Sequence, residues 1–120
     1  PYAATEVRVP GPGGITLAGT LTLPTTPAAR RAPVVITISG SGADDRDELL
    51  PFAGGIRLFR QLADTLGRRG VAVLRLDDRG VGGSTGDRAR ATTADYANDV
   101  RAAVAWARTR PELDATRVFL

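Results

Sequence analysis

Pro33-Val34-Val35-Ile36-Thr37-Ile38-Ser39-Gly40-Ser41-Gly42 decides the fold of this 120-residue chain. Residues 34–38 are almost continuously apolar and β-branched, the pattern of a strand covered on both faces, and a glycine turn follows at once. Val71-Ala72-Val73-Leu74-Arg75-Leu76 reads as its parallel neighbour. Between the two, Leu58, Phe59, Leu62, Ala63 and Leu66 recur at helical spacing. They predict a helix over 57–69 that Gly67 or Gly70 ends. Strand, helix and parallel strand make one right-handed crossover unit.

Working outward, residues 5–9 and 15–23 read as strands joined by the turn Pro10-Gly11-Pro12-Gly13-Gly14, an antiparallel hairpin at a sheet edge. The second alternates, with Ile15, Leu17, Gly19, Leu21 and Leu23 on one face. Toward the other end, Thr92 and Asp95 fit a capping box that opens a helix over 93–109. Its apolar face is Tyr96, Val100, Ala103, Val104 and Ala107, and Pro111 stops it. A third central strand is expected near 116–120. The two helices are expected on opposite sheet faces, with Phe59 and Trp106 as packing residues. The class is α/β: a hairpin leading into a doubly wound parallel sheet, with no repeat and no second domain. The last strand would be left with uncovered apolar side chains, so the chain is expected to be part of a longer protein.

Composition narrows the chemistry. There is no Cys and no His, which removes thiolate chemistry, disulfides, the usual neutral-pH general base and the commonest metal ligand. The net charge is +3, from 16 basic and 13 acidic residues. All the basic residues are Arg, and they alternate with acids as in Arg75-Leu76-Asp77-Asp78-Arg79, so no basic stripe for nucleic acid emerges. The missing Lys fits codon bias in a GC-rich bacterium. No apolar run reaches the ~18 residues of a membrane span. A cytoplasmic location is favoured, and a secreted or periplasmic one stays open if a signal peptide was removed.

Ligands of open α/β sheets gather beyond the carboxyl ends of the strands. Two loops stand there. In the first, Ser39-Gly40-Ser41-Gly42 is followed by Asp44, Asp45, Arg46, Asp47 and Glu48. Gly40 and Gly42 let backbone N–H groups converge on an anion or a developing oxyanion. A phosphate loop is excluded, because the chain has no Lys and Asp45 stands where a dinucleotide fingerprint needs Gly. The acids lack calcium-loop spacing, so no metal and no cofactor is expected. In the second loop, Asp77-Asp78-Arg79-Gly80-Val81-Gly82-Gly83-Ser84, the carboxylates can accept backbone N–H groups and Arg79 can brace the turn. Asp77, Asp78, Arg79, Gly80, Gly82 and Ser84 are thus structural loop residues, as are Ser39 and Gly42.

Together these segments resemble the α/β-hydrolase superfamily, in its bacterial serine esterase and serine-aminopeptidase-like branch. Ser-Gly-Ser-Gly at 39–42 is similar to the family's turn after strand three, where many members have His-Gly and Ser39 stands in the His place. Asp-Asp-Arg-Gly-Val-Gly-Gly-Ser at 77–84 is similar to its turn after strand four. The resemblance covers nearly the whole chain and implies residues 1–120 as the N-terminal portion of one hydrolase domain, ending just before the nucleophile elbow. It implies that Ser41 supplies an oxyanion N–H, with Gly40 permitting the turn, and that a Ser-His-Asp/Glu triad lies downstream. The implied partners are a small ester or short peptide substrate and the remainder of the protein. Serine aminopeptidase-like or thioester hydrolysis, and a non-catalytic ligand-binding module, stand as alternatives. Oligomeric state is not legible.

Overall fold

The computed structural model describes residues 2–25, 31–40 and 44–120, with residue 52 described by its backbone alone. In chain order the elements are β1 (Tyr2–Pro10), β2 (Thr16–Pro24), β3 (Ala32–Ile36), β4 (Leu49–Leu50), β5 (Ile56–Arg57), α1 (Leu58–Gly67), β6 (Ala72–Leu76), α2 (Thr93–Thr109) and β7 (Leu113–Phe119). Five strands form one sheet in the order β1-β2-β6-β3-β7. β1 and β2 pair antiparallel along their whole length, and β2 continues antiparallel onto β6. β3 runs parallel to both β6 and β7. The short β4 and β5 pair only with each other, a ladder absent from the sequence reading.

Two faces follow from the register. Leu21 lies opposite Leu74, and Ile36 pairs with that same residue. Leu21, Val34, Ile36, Ala72 and Leu74 cluster with Ala103 and Ala107 of α2 and with Leu113. Neighbouring strand residues point the other way. Thr20, Thr22 and Arg75 accordingly share a polar cavity with Ala63 of α1. The helices therefore cover opposite faces, as expected. α2 begins with the expected capping box: the Thr92 hydroxyl accepts from Asp95 N, and the Asp95 carboxylate accepts from Thr92 N. This satisfies two orphan donors at its first turn.

Several boundaries move. The strand expected over 34–38 is Ala32–Ile36. Thr37 N still donates to Leu74 O, but Ile38 has left the sheet and stands half exposed. The strand expected over 116–120 begins at Leu113, because Leu113 pairs with Ala32 and is only 1% exposed. The strand expected over 71–76 is Ala72–Leu76. The helix expected over 57–69 is Leu58–Gly67. Its apolar stripe is not a buried one: Ala63 and Gly67 face the sheet, while Leu58 and Leu62 are 46% and 38% exposed. Gly67 packs so close to Tyr2 and Thr22 that a Cβ there would lie 3.0 Å from the Tyr2 ring, so the helix meets the sheet through its small residues. The alternation of β2 also fails at its centre. Ala18 and Thr22 are buried along with Leu17 and Leu21, since a strand between two others under helices is covered on both sides.

Leu113 provides a direct test of this core. Leu113→Ala in the intact protein should lower stability by about 2–5 kcal/mol, read by urea denaturation. A loss within experimental scatter would place Leu113 outside the core.

Candidate active site

The carboxyl ends of β3 and β6 open into a cleft of about 700 Å³. It is lined by Ile36, Ile38, Ser39 and Gly40 from β3 and its turn, by Leu76 and Asp78 from the end of β6, and by Arg88, Thr93, Tyr96 and Asp99 from α2 and the segment before it. Both loops singled out from the sequence thus reach the place where open α/β sheets bind ligands. Ser41 and Gly42 lie outside the described residues, so the structure places only Ser39 and Gly40 of that turn.

The second loop is built around Asp77, which is 4% exposed. Asp77 N donates to Ala18 O, continuing the β2–β6 ladder by one bond. Its carboxylate accepts from Arg46 N (2.8 Å), Arg46 Nε (3.2 Å), Arg46 Nη2 (2.8 Å) and Gly83 N (3.1 Å). Burial alone would raise its pKa, but the Arg46 and Gly83 bonds outweigh burial and hold it below the ordinary value. Gly82 has φ +53°, and a Cβ there would lie 2.6 Å from Asp77 Oδ2, so the loop can wrap this carboxylate only with glycine at that position. Ser84 Oγ donates to Asp77 O and accepts from Ala18 N, and Gly80 N donates to Thr85 O. These bonds sew the loop onto β2.

Asp78 turns the other way, into the cleft, where it accepts from Ser39 Oγ at 2.7 Å. Burial, helped by the Asp44, Asp99 and Asp77 carboxylates, pushes its pKa up against the opposing Ser39 bond. Arg79 reaches α2 instead. Its Nε and Nη2 fork onto Asp99 at 2.8 and 2.6 Å, and Nη2 also donates to Asp95 O at 3.4 Å. This pairing raises the Arg79 pKa. Asp99 sits one turn before Ala103 on the stripe that α2 buries, where an unpaired carboxylate is costly; Arg79 is its partner.

Two residues that anchor the first loop escaped the sequence reading. Arg46 stands among four acids in the sequence with no role assigned, yet it joins Asp77 to Glu6 of β1 (Nη1 to both carboxylate oxygens, 2.6 Å) and to Thr20 Oγ1 of β2 (3.0 Å). Glu48 is the last of those four acids. It has φ +50°, the one described non-glycine residue with a positive φ, and its carboxylate accepts from the Gly40 N–H. Burial, then Asp44, pushes its pKa up. Glu48 Oε2 and Asp44 Oδ2 are buried without a hydrogen-bond partner among the described residues. No sequence signal announces either role, because Arg46 finds its partners on β1, β2 and the second loop, and Glu48 folds back on Gly40 within its own loop. For Asp99 a signal existed, namely a carboxylate at i−4 from Ala103 within an apolar stripe. The described residues hold no group of three or more acids placed to bind a metal ion.

The raised pKa of Glu48 has a definite sign. In the unfolded chain the group titrates near 4.5, and in the folded chain it titrates higher. Between those values the native state holds the extra proton, so stability falls as pH rises, and above the folded value the penalty is complete. Glu48→Gln should flatten that slope in urea unfolding of the intact protein between about pH 4 and pH 8. An unchanged slope would show that Glu48 is not desolvated.

The family model described as serine aminopeptidase, S33, matches residues 52–120. No curated protein matches the chain. Among solved structures it is similar to an α/β hydrolase from Penicillium sp. sh18, with 23% identity and a TM-score of 0.75 over 97% of this chain and 36% of that one. It is similar to an esterase from Pyrococcus furiosus, with 20% identity and a TM-score of 0.68 over 98% of this chain and 41% of that one. An aminopeptidase from a marine sediment archaeon, Thaumarchaeota archaeon, gives 22% identity and a TM-score of 0.66 over 98% and 20%. The fold is that of the α/β hydrolases, and the chain spans well under half the length of these structures.

Proposed function

The chain belongs to the serine aminopeptidase S33 family, and from that premise we propose that the protein it forms is a serine hydrolase of carboxylic esters. The observation that carries this reading is the anchoring of both glycine loops at one cleft, beyond the parallel strands β3 and β6. In this reading residues 1–120 are the N-terminal portion of one hydrolase domain, and the reacting Ser, His and Asp or Glu come from beyond residue 120. The chain has no His of its own to serve as base.

The reaction is two-step acyl transfer. The serine oxygen attacks the substrate carbonyl while His takes its proton. The tetrahedral oxyanion accepts the Ser41 N–H and a second N–H beside the nucleophile. Collapse expels the alcohol, which leaves with the proton from His. Water, activated by the same His, then attacks the acyl-enzyme and releases the acid. Gly40 permits the turn that presents Ser41. Ser39, Asp78, Asp77 and Arg79 hold the loops and do not react.

A second reading, cleavage at a free amino terminus, draws on the family description and on the carboxylates beside the cleft. Asp78 lines it, and Glu48 and Asp44 lie near by. An α-ammonium group would suit that surrounding.

The test uses the intact protein. It should be labelled by a fluorophosphonate and should hydrolyse a p-nitrophenyl ester faster than an aminoacyl p-nitroanilide. The reverse order would favour the peptidase, and absence of both labelling and turnover would leave a binding module. Ser41→Ala keeps the backbone N–H and should cost little. Ser41→Pro removes it and should lower kcat by about 10²–10³.

A further inference from the structure

The loop that carries Ser41 departs from β3 at one end and runs into β4 at the other. Its described ends are Ser39-Gly40 and residues 44–48, and loop two holds both. Ser39 Oγ is on Asp78 Oδ1 at 2.7 Å, and Arg46 is on Asp77 through its backbone N, Nε and Nη2. Adjacent residues on an extended backbone point to opposite sides. One Asp-Asp pair at the end of β6 therefore grips the loop twice, once on the cleft side and once on the far side. Residues 40–45 lie between the two grips.

The far grip is the stronger. Arg46 is bidentate on a carboxylate that is almost fully buried, and its remaining Nη1 is taken by Glu6 and Thr20. One guanidinium thus ties the loop to β1, β2 and loop two together, with little freedom to pivot. The following residues are fixed as well: Phe59 N donates to Asp47 O, and Leu58 N donates to Glu48 O. An N–H displaced by about 1 Å from a developing oxyanion can cost ~10²-fold in rate.

We propose that Arg46 is a positioning residue for the oxyanion turn, acting through Asp77 from the side of the sheet away from substrate. This rests on the hydrolase reading above and adds to it the residue that sets the turn's geometry. Arg46 touches no reacting atom. Its effect belongs to the transition state: loss of the fork loosens the turn, and substrate in its ground state hardly senses this.

The experiment compares Arg46→Lys and Arg46→Gln with Leu113→Ala in the intact protein, each assayed well below its own unfolding temperature. Leu113 starts β7 beside Ala32, at the amino end of β3 and hence at the opposite end of the sheet from the cleft, so its variant controls for lost stability alone. Three quantities are read: kcat, KM for a neutral ester, and affinity for a trifluoromethyl ketone that forms a tetrahedral adduct. The Arg46 variants should lose about 10- to 100-fold in kcat and weaken ketone binding by a similar factor, with KM within about threefold. Leu113→Ala should leave kcat and ketone affinity near wild type. If Arg46→Lys is too unstable to purify, Arg46→Gln, which keeps an amide donor for Asp77, decides alone. Arg46 variants with wild-type ketone affinity, or with losses matched by Leu113→Ala, overturn the proposal. A wild-type protein that no fluorophosphonate labels overturns the hydrolase reading itself, a result distinct from either.

Discussion

Asp77 places a carboxylate where water does not reach, at the end of a central strand, and the surrounding chain is arranged to keep it charged. Arg46 gives it a fork and a backbone N–H, and Gly83 gives another N–H. Gly82 leaves the space in which its oxygens sit. A buried ion pair contributes little net stability over an apolar replacement, because desolvation offsets most of the attraction. Removing one partner is another matter, since it strands a charge. Such a pair therefore specifies geometry more than it stabilises, and the geometry here is the approach of two loops to one cleft.

The same logic recurs on the other side of loop two. α2 buries Ala103 and Ala107 against the sheet and carries Asp99 on that stripe. Arg79 neutralises Asp99 and, in doing so, fixes where the start of α2 stands relative to the loop. The cleft between them collects carboxylates whose pKa values are pushed up, Asp78 among them and Glu48 beside it. Protonation of these groups stabilises the fold, whereas protonation of Asp77 would release Arg46. The two sets titrate on opposite sides of the ordinary carboxylate range, so mild acid relieves one strain before it breaks the other contact.

The two faces of the sheet are unequal. The α2 face holds the continuous apolar cluster. The α1 face is polar at its centre: Arg75 is buried there with one bond to Asp47, and burial lowers its pKa despite that partner. α1 approaches through Ala63 and Gly67, leaving Leu58 and Leu62 facing outward. Small residues at the contact bring the helix close to Thr22 and Tyr2, where larger ones would hold it off.

The class, the order of the main-sheet strands and the two helices, the hairpin, the α2 cap and the opposite placement of the helices were legible in the sequence from periodicity and turn chemistry, whereas the short β4–β5 ladder was not. The run at 34–38 pointed to a buried parallel strand from its branched side chains, and the two glycine loops fell, as expected, beyond the carboxyl ends of the strands, where they border the cleft. Strand ends were not legible: Leu113 belongs to β7 because Ala32 pairs with it, and Ile38 leaves the sheet although it reads as strand. Nor could the sequence choose partners among 16 arginines and 13 acids. Arg46 with Asp77, Arg79 with Asp99, Arg75 with Asp47 and Glu48 with Gly40 are separated by 8 to 31 positions. Pattern along a chain fixes which face a residue shows. Only packing brings distant charges into a volume without water, and there the cost of an unpaired charge selects one partner from many.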